Sequence, residues 1–237
     1  MRKLKVTHFR QDPAHCTVGA CAVIGNFYDN EIDYDYTKKV AYRITNEIPE
    51  YGLDSGQICL LLNRLGFNKI TLVTSDTDIL DYSWSKFKKK RLLITISKAI
   101  PKMKEKEYRD LLRNIYKWYK QPDYDNNIII DYNFGKYIRG HLNRNKPVIL
   151  SFNWTMFFKF AKEGDNGPDS INGDTEEHSV VVYGYNKSGV YICDSHHQYY
   201  KYKRKKYRTG FYKISWENLM TIMGKGDVFL AEDYCPE

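Results

Sequence analysis

Cys16, His178 and Asp194 supply a thiol, an imidazole and a carboxylate, each at a point in its local pattern where a reactive group is useful. Cys16 opens the apolar run Thr17-Val-Gly-Ala-Cys-Ala-Val-Ile24, which reads as a buried helix over 17–28. The unpaired amides and dipole at a helix start favour an ionised sulfur, and a nearby imidazole favours it further. His178 leads Ser179-Val-Val-Val-Tyr183, a strand, where it can take and return a proton. Asp194 ends a second apolar run, Val190-Tyr-Ile-Cys193. A turn at Asn186-Lys-Ser-Gly189 would fold these two strands into a hairpin and bring Asp194 beside His178, fixing its tautomer and orientation. Gln11 lies five residues before Cys16 and has an amide that can donate to an oxyanion. Together these groups suit nucleophilic attack on an acyl carbon. Taken singly, each has a plainer reading: an inert buried cysteine, a structural histidine, a turn-forming Asp, an exposed Gln. Cys21 and Cys59 sit inside apolar helical runs and keep that reading.

The elements that must position these residues follow from pattern. Asp54-Ser55 caps a helix running to Leu65 and closed by Gly66, and Lys69–Thr74 alternates as a strand. A weaker helix covers 36–44. From 78 to 121 the chain turns basic and helical, with Pro101 dividing it, and reads as a helical insertion. A loop over 121–127 and a helix over 133–143 follow. The remainder is strand-rich: Pro147–Phe152, the hairpin already described, Gly210–Ile214 and Asp227–Leu230, with Ser215 capping a short helix over 216–223. Helices first and an antiparallel sheet after predict an α+β fold in a single domain, 1–237.

Composition narrows the classes. Hydrophobic residues make up 42% and aromatics 15%, enough for a packed core rather than a disordered chain. No run of eighteen apolar residues exists, and Met1–Arg10 has no apolar stretch of a signal peptide, so a cytoplasmic protein is expected. Five cysteines at irregular spacing do not form a disulfide framework. The net charge of +8 admits an anionic partner, although a Lys-, Asn-, Ile- and Tyr-rich composition, as an AT-rich genome produces, accounts for part of it.

The stretches Gln11…Cys16-Thr-Val-Gly-Ala, Lys146-Pro-Val-Ile-Leu, His178-Ser-Val-Val-Val-Tyr-Gly-Tyr and Val190-Tyr-Ile-Cys-Asp194-Ser together resemble the papain-like cysteine peptidases of the bacteriocin-leader-processing type. Lys213-Ile-Ser-Trp-Glu-Asn-Leu219 looks like the segment that follows the Asp in that family. The resemblance covers roughly 8–30 and 145–230 and implies a papain-like fold, with an N-terminal helix packed on a C-terminal sheet. It implies Cys16 as nucleophile, His178 as base, Asp194 as its orienter and Gln11 as oxyanion donor, acting on a peptide or isopeptide bond through a thioester. Three positions depart from the family: four residues rather than five separate Gln11 from Cys16, Thr17 replaces Gly, and Ser195 replaces Pro. The pair His15-Cys16 is more similar to the N-terminal domain of the butirosin-biosynthesis acyltransferase, which implies an amine in place of water as acceptor.

Other signals are less specific. Cys193, Asp194, His196 and His197 lack the two-plus-two spacing of a metal site, and no cofactor is expected. Lys201, Lys203, Arg204, Lys205, Lys206 and Arg208, interleaved with tyrosines, form either a solvated hairpin tip or a patch for an anionic partner. A non-catalytic binding protein using that surface is the remaining alternative. Glu163, Asp165, Asp169, Asp174, Glu176 and Glu177 precede His178 in a loop that is either merely solvated or borders a cleft and selects a basic substrate, the solvated reading being the plainer one.

Overall fold

A computed structural model describes residues 2–48, 52–159, 161–164, 167–196, 200–202, 205–207 and 210–235. The first half contributes β1 (Arg2–Lys3), α1 (Cys16–Tyr28), α2 (Tyr34–Thr45), α3 (Ser55–Arg64) and β2 (Phe67–Thr74). Next come α4 (Lys89–Ala99), α5 (Lys106–Tyr119), β3 (Asn127–Ile130) and α6 (Phe134–Asn143). The second half adds β4 (Val148–Asn153), α7 (Trp154–Phe158), the short strands β5 (Glu163–Gly164) and β6 (Gly167–Pro168), β7 (Glu177–Asn186) and β8 (Gly189–Asp194). The ribbon of β9 (Tyr200–Tyr202) and β10 (Lys205–Tyr207), then β11 (Gly210–Ser215), α8 (Trp216–Ile222) and β12 (Asp227–Tyr234), complete the described elements.

An eight-stranded sheet runs in the order β11-β8-β7-β4-β12-β2-β3, with β1 also pairing with β7. Alternation along its strands serves two cores. Ile149, Val181, Cys193 and Phe229 join Val18, Val23, Ile58, Leu62, Leu112 and Trp118 on the face covered by α1–α5. Val148, Val180, Val182, Ile192 and Val228 meet Ile138, Leu142, Leu219 and Ile222 of α6 and α8 on the other. Of the three valines after Ser179, therefore, only Val181 faces the α1 layer.

Local sequence explains the helix ends. Asp54 and Gln57 form a reciprocal capping box at α3, and Gly66 follows that helix at φ +100°, a conformation costly for other residues. Asp33 and Ser215 cap α2 and α8. Pro101 falls in a 3₁₀ turn, Ile100–Lys102, between α4 and α5.

The sheet departs from the expected pattern in two ways. β3 forms where no strand was expected and runs parallel to β2, so the sheet is mixed. It also draws β1 and β2 from the N-terminal half, while α1 itself packs, as expected, on the C-terminal strands β7 and β4. The stretch 78–121 is built into the first core: Leu92 and Ile96 of α4 and Leu112, Ile115 and Trp118 of α5 are buried with α1 and α3.

Candidate active site

α1 begins without help. His15 precedes it with no side-chain capping bond, and the first turn holds no acidic residue. Ala14, at φ 61°, and the bond from the His15 amide to the Asp12 carbonyl turn the chain into the helix. The first amides of α1 are thus unspent by side chains and available to an anion. Cys16 is its first residue and is partly exposed, whereas Cys21, Cys59 and Cys193 are buried. Burial pushes the Cys21 and Cys59 thiols far up and Cys193 to about 12, which keeps all three protonated.

His178 is the second residue of β7 and is 2% exposed. Its Nε2 meets Asp194 Oδ1 at 2.9 Å, and the Cys16 thiol stands close enough to the ring to help raise its pKa. With Nε2 engaged, Nδ1 is the nitrogen left for sulfur. Burial alone would depress the imidazole. The Asp194 charge and hydrogen bond, with Cys16 adding to them, override it and raise the pKa to about 9. Asp194, also 2% exposed, shows the mirror balance. Burial raises its carboxyl pKa, but the His178 charge, the His178 and His196 hydrogen bonds and the Tyr212 hydroxyl together lower it.

The hairpin that joins His178 to Asp194 has the expected turn, Asn186 pairing with Gly189, but its register shifts between Val182 and Gly184. Gly184 pairs with Tyr191 and Val182 with Ile192, so Tyr183 is an extra residue, a β-bulge. His178 itself pairs with Phe152 of β4.

Gln11 is 3% exposed, not a surface residue. Ser195 Oγ donates to its Oε1 at 2.7 Å, and its backbone amide donates to the Ser195 carbonyl at 2.8 Å. With Oε1 so occupied, the amide nitrogen is left as its donor. Gly19 makes room, because a Cβ there would stand 2.2 Å from Ser195 Oγ and 3.3 Å from Gln11 Cβ. Two departures from the resembled family therefore do structural work that Gly and Pro side chains could not. Ser195 anchors Gln11, and Thr17 Oγ1 accepts from the Leu53 amide at 3.2 Å.

Several neighbours escaped the sequence reading. Tyr212 of β11 donates to Asp194 Oδ2 at 2.7 Å, and the His196 amide donates to Oδ1 at 2.9 Å. The Trp154 ring stands edge-on to His178 at 77°, and Phe152 lies at 89° to it. The His8 ring bonds the Asp194 carbonyl at 2.8 Å. Strand register is the signal that could have found Tyr212: it pairs with Ile192, two residues from Asp194 and on the same face.

Among the described residues, no group of three His, Cys, Asp or Glu is placed to hold a metal. Asp194 is committed on both oxygens, and His197 lies outside the described residues. Lys201, Lys205 and Lys206 fall on the β9–β10 ribbon; Lys203, Arg204 and Arg208 lie outside the described residues. In the acidic loop, the Glu176 carbonyl accepts from the Trp154 amide at 2.8 Å, and Asp169 ties its own turn. Asp165 is outside the described residues.

The model of the family described as Peptidase_C39 like matches residues 3–222. The chain belongs to this family. The α+β architecture here is the papain-like one that the motifs resembled. The chain is also similar to a candidate C39-like peptidase from Bacillus anthracis known from its crystal structure. Identity is 13% and the TM-score 0.46, over 99% of this chain and 100% of that one. No curated protein matches the chain.

Proposed function

We propose that the protein is a cysteine peptidase acting through Cys16, His178 and Asp194. The observation that carries this reading is one buried imidazole bonded to a fully bonded carboxylate, with a partly exposed cysteine at a helix start near enough to raise its pKa. The Cys16 sulfur attacks the carbonyl carbon of a peptide or isopeptide bond. The oxygen's developing charge meets the uncapped amides of α1 and the amide nitrogen of Gln11. His178 gives its proton to the departing amine as the C–N bond breaks, leaving a thioester. Water then attacks the thioester, His178 takes the water's proton, and the released thiolate returns to its ion pair. Asp194 keeps the imidazole oriented throughout and stabilises it whenever it carries the second proton.

The test is mild alkylation of the whole protein with mass mapping, followed by peptide hydrolysis by Cys16→Ala and His178→Ala. Cys16 should label first, both variants should lose hydrolysis, and His178→Ala should slow labelling by about a hundredfold. Labelling of Cys21 or Cys59 first would overturn the choice of nucleophile. Product formation that requires an added amine would instead identify an acyltransferase.

A further inference from the structure

Apart from the short basic run 201–208, the positive charge of the molecule is concentrated in one segment. Between Lys86 and Lys120 stand thirteen Lys and Arg against three Asp and Glu, a net +10, whereas the whole chain carries +8. Everything outside this stretch is therefore net negative, which a uniform compositional bias does not produce.

Folding lays the cations out in order. Lys106, Arg109, Arg113, Lys117 and Lys120 recur every three or four residues along α5, on the side opposite the buried Leu112, Ile115, Trp118 and Tyr119. All but the half-buried Arg109 are exposed. The stripe is about 21 Å long at the helical rise. On α4, packed beside α5, the exposed Lys90, Arg91 and Lys98 lie opposite the buried Leu92 and Ile96. Ile94, 47% exposed, sits among them. Of these cations only Arg113 has an ion-pair partner among the described residues, Asp110.

We propose that this outward face of α4 and α5 docks on an anionic lipid surface. Self-repulsion makes such a face costly for stability unless a polyanion meets it. Three features favour a bilayer over a nucleic acid. The cations spread over two adjacent helices as a plate. An apolar side chain, Ile94, stands within that plate, ready to enter the headgroup region. Nearby rings are already covered by cations, with Arg91 over Phe87 at 3.8 Å, Lys89 over Tyr119 at 5.0 Å and Lys120 over Tyr116 at 5.3 Å, so stacking platforms for bases are taken. No helix among the described residues is long and apolar enough to cross a membrane, so the attachment is peripheral.

Co-sedimentation of the full chain with vesicles tests this. Phosphatidylcholine alone should not retain the protein. An equimolar mixture with phosphatidylglycerol should retain it in about 0.05 M salt and release it in about 0.5 M salt. Each cation near an anionic bilayer contributes about fivefold in affinity, so joint replacement of Lys106, Arg113, Lys117 and Lys120 by Gln should weaken retention at least a hundredfold. Cys16 labelling of that variant should match wild type, which shows that the fold is intact. If labelling changes, Ile94→Ser, which leaves the charge untouched, should weaken retention about tenfold. Retention unchanged by either variant overturns the proposal. So does retention no stronger than that by a DNA duplex of equal phosphate concentration, which would turn the same face into a nucleic-acid site.

Discussion

Replacing Asp194 by Asn keeps the shape of the side chain and removes the charge that holds the His178 imidazolium. In the wild type that imidazole is carried from its ordinary 6.5 to about 9 against the penalty of burial. The rise corresponds to about 3 kcal/mol, to within a factor of two. Because the folded value lies above the unfolded one, this stabilisation is complete below about pH 6.5 and is lost as pH climbs through about 9. For a chain of this size it amounts to about 6–12 °C in Tm across that window. With Asn at 194, burial dominates, the ring is neutral near pH 7, and the alkaline decline in Tm should flatten. Thermal melts of both proteins at steps from pH 6 to 10, with the His178 ring followed by NMR, measure the effect directly. Peptide turnover should fall by orders of magnitude in the same variant. An unchanged alkaline slope, or turnover within about threefold of wild type, would refute the assignment of the Asp194–His178 pair.

Tyr212→Phe keeps the ring stacked on Phe157 but deletes one donor to a buried carboxylate, a bond worth about 1.5–3 kcal/mol. Asp194 should then become protonated at higher pH, and the acid limb of kcat/KM should move upward with it; an unmoved limb means that Tyr212 only packs. Gly19→Ala should cost about 1–3 kcal/mol by chemical denaturation, because the new Cβ collides with Ser195. It should also lower kcat more than it raises KM by disturbing the Gln11 anchor, and an equal fall in iodoacetamide labelling would place the damage in α1 instead.

Residues whose neighbours are local were the legible ones. Cys16 at the head of α1, the Asp54 cap, and the hairpin between His178 and Asp194 all depend on patterns a few residues long, and the structure brings Cys16, His178 and Asp194 together. Tyr212, Trp154 and the His8 ring reach the site only because β11 joins β8, β4 joins β7 and the N-terminal segment crosses the sheet end. Strand order is a non-local property with no periodic signature. The strand β3 was missed because its partner β2 lies across a crossover containing both α4 and α5. The same crossover explains why 78–121 reads as an insertion: its basic outer face is conspicuous in sequence, whereas its contribution to the core is eight buried side chains spread along the stretch.

The extra residue at Tyr183 is a matter of parity. Val181 opposes Cys193 in the half of the hairpin far from its turn, so one further step sets Asp194 opposite Val180. Val180 shares a sheet face with His178, since side chains two apart point the same way. In an uninterrupted ladder counted from Asn186–Gly189, Asp194 would oppose Val181 and point its carboxylate through the sheet, into the apolar layer beneath α1. One surplus residue thus acts as an odd-even switch between a carboxylate that meets an imidazole and one buried without a partner. Along β7 and β8, single-residue insertions and deletions are therefore of a different kind from substitutions: each reverses the switch for everything beyond it, and only paired changes restore it.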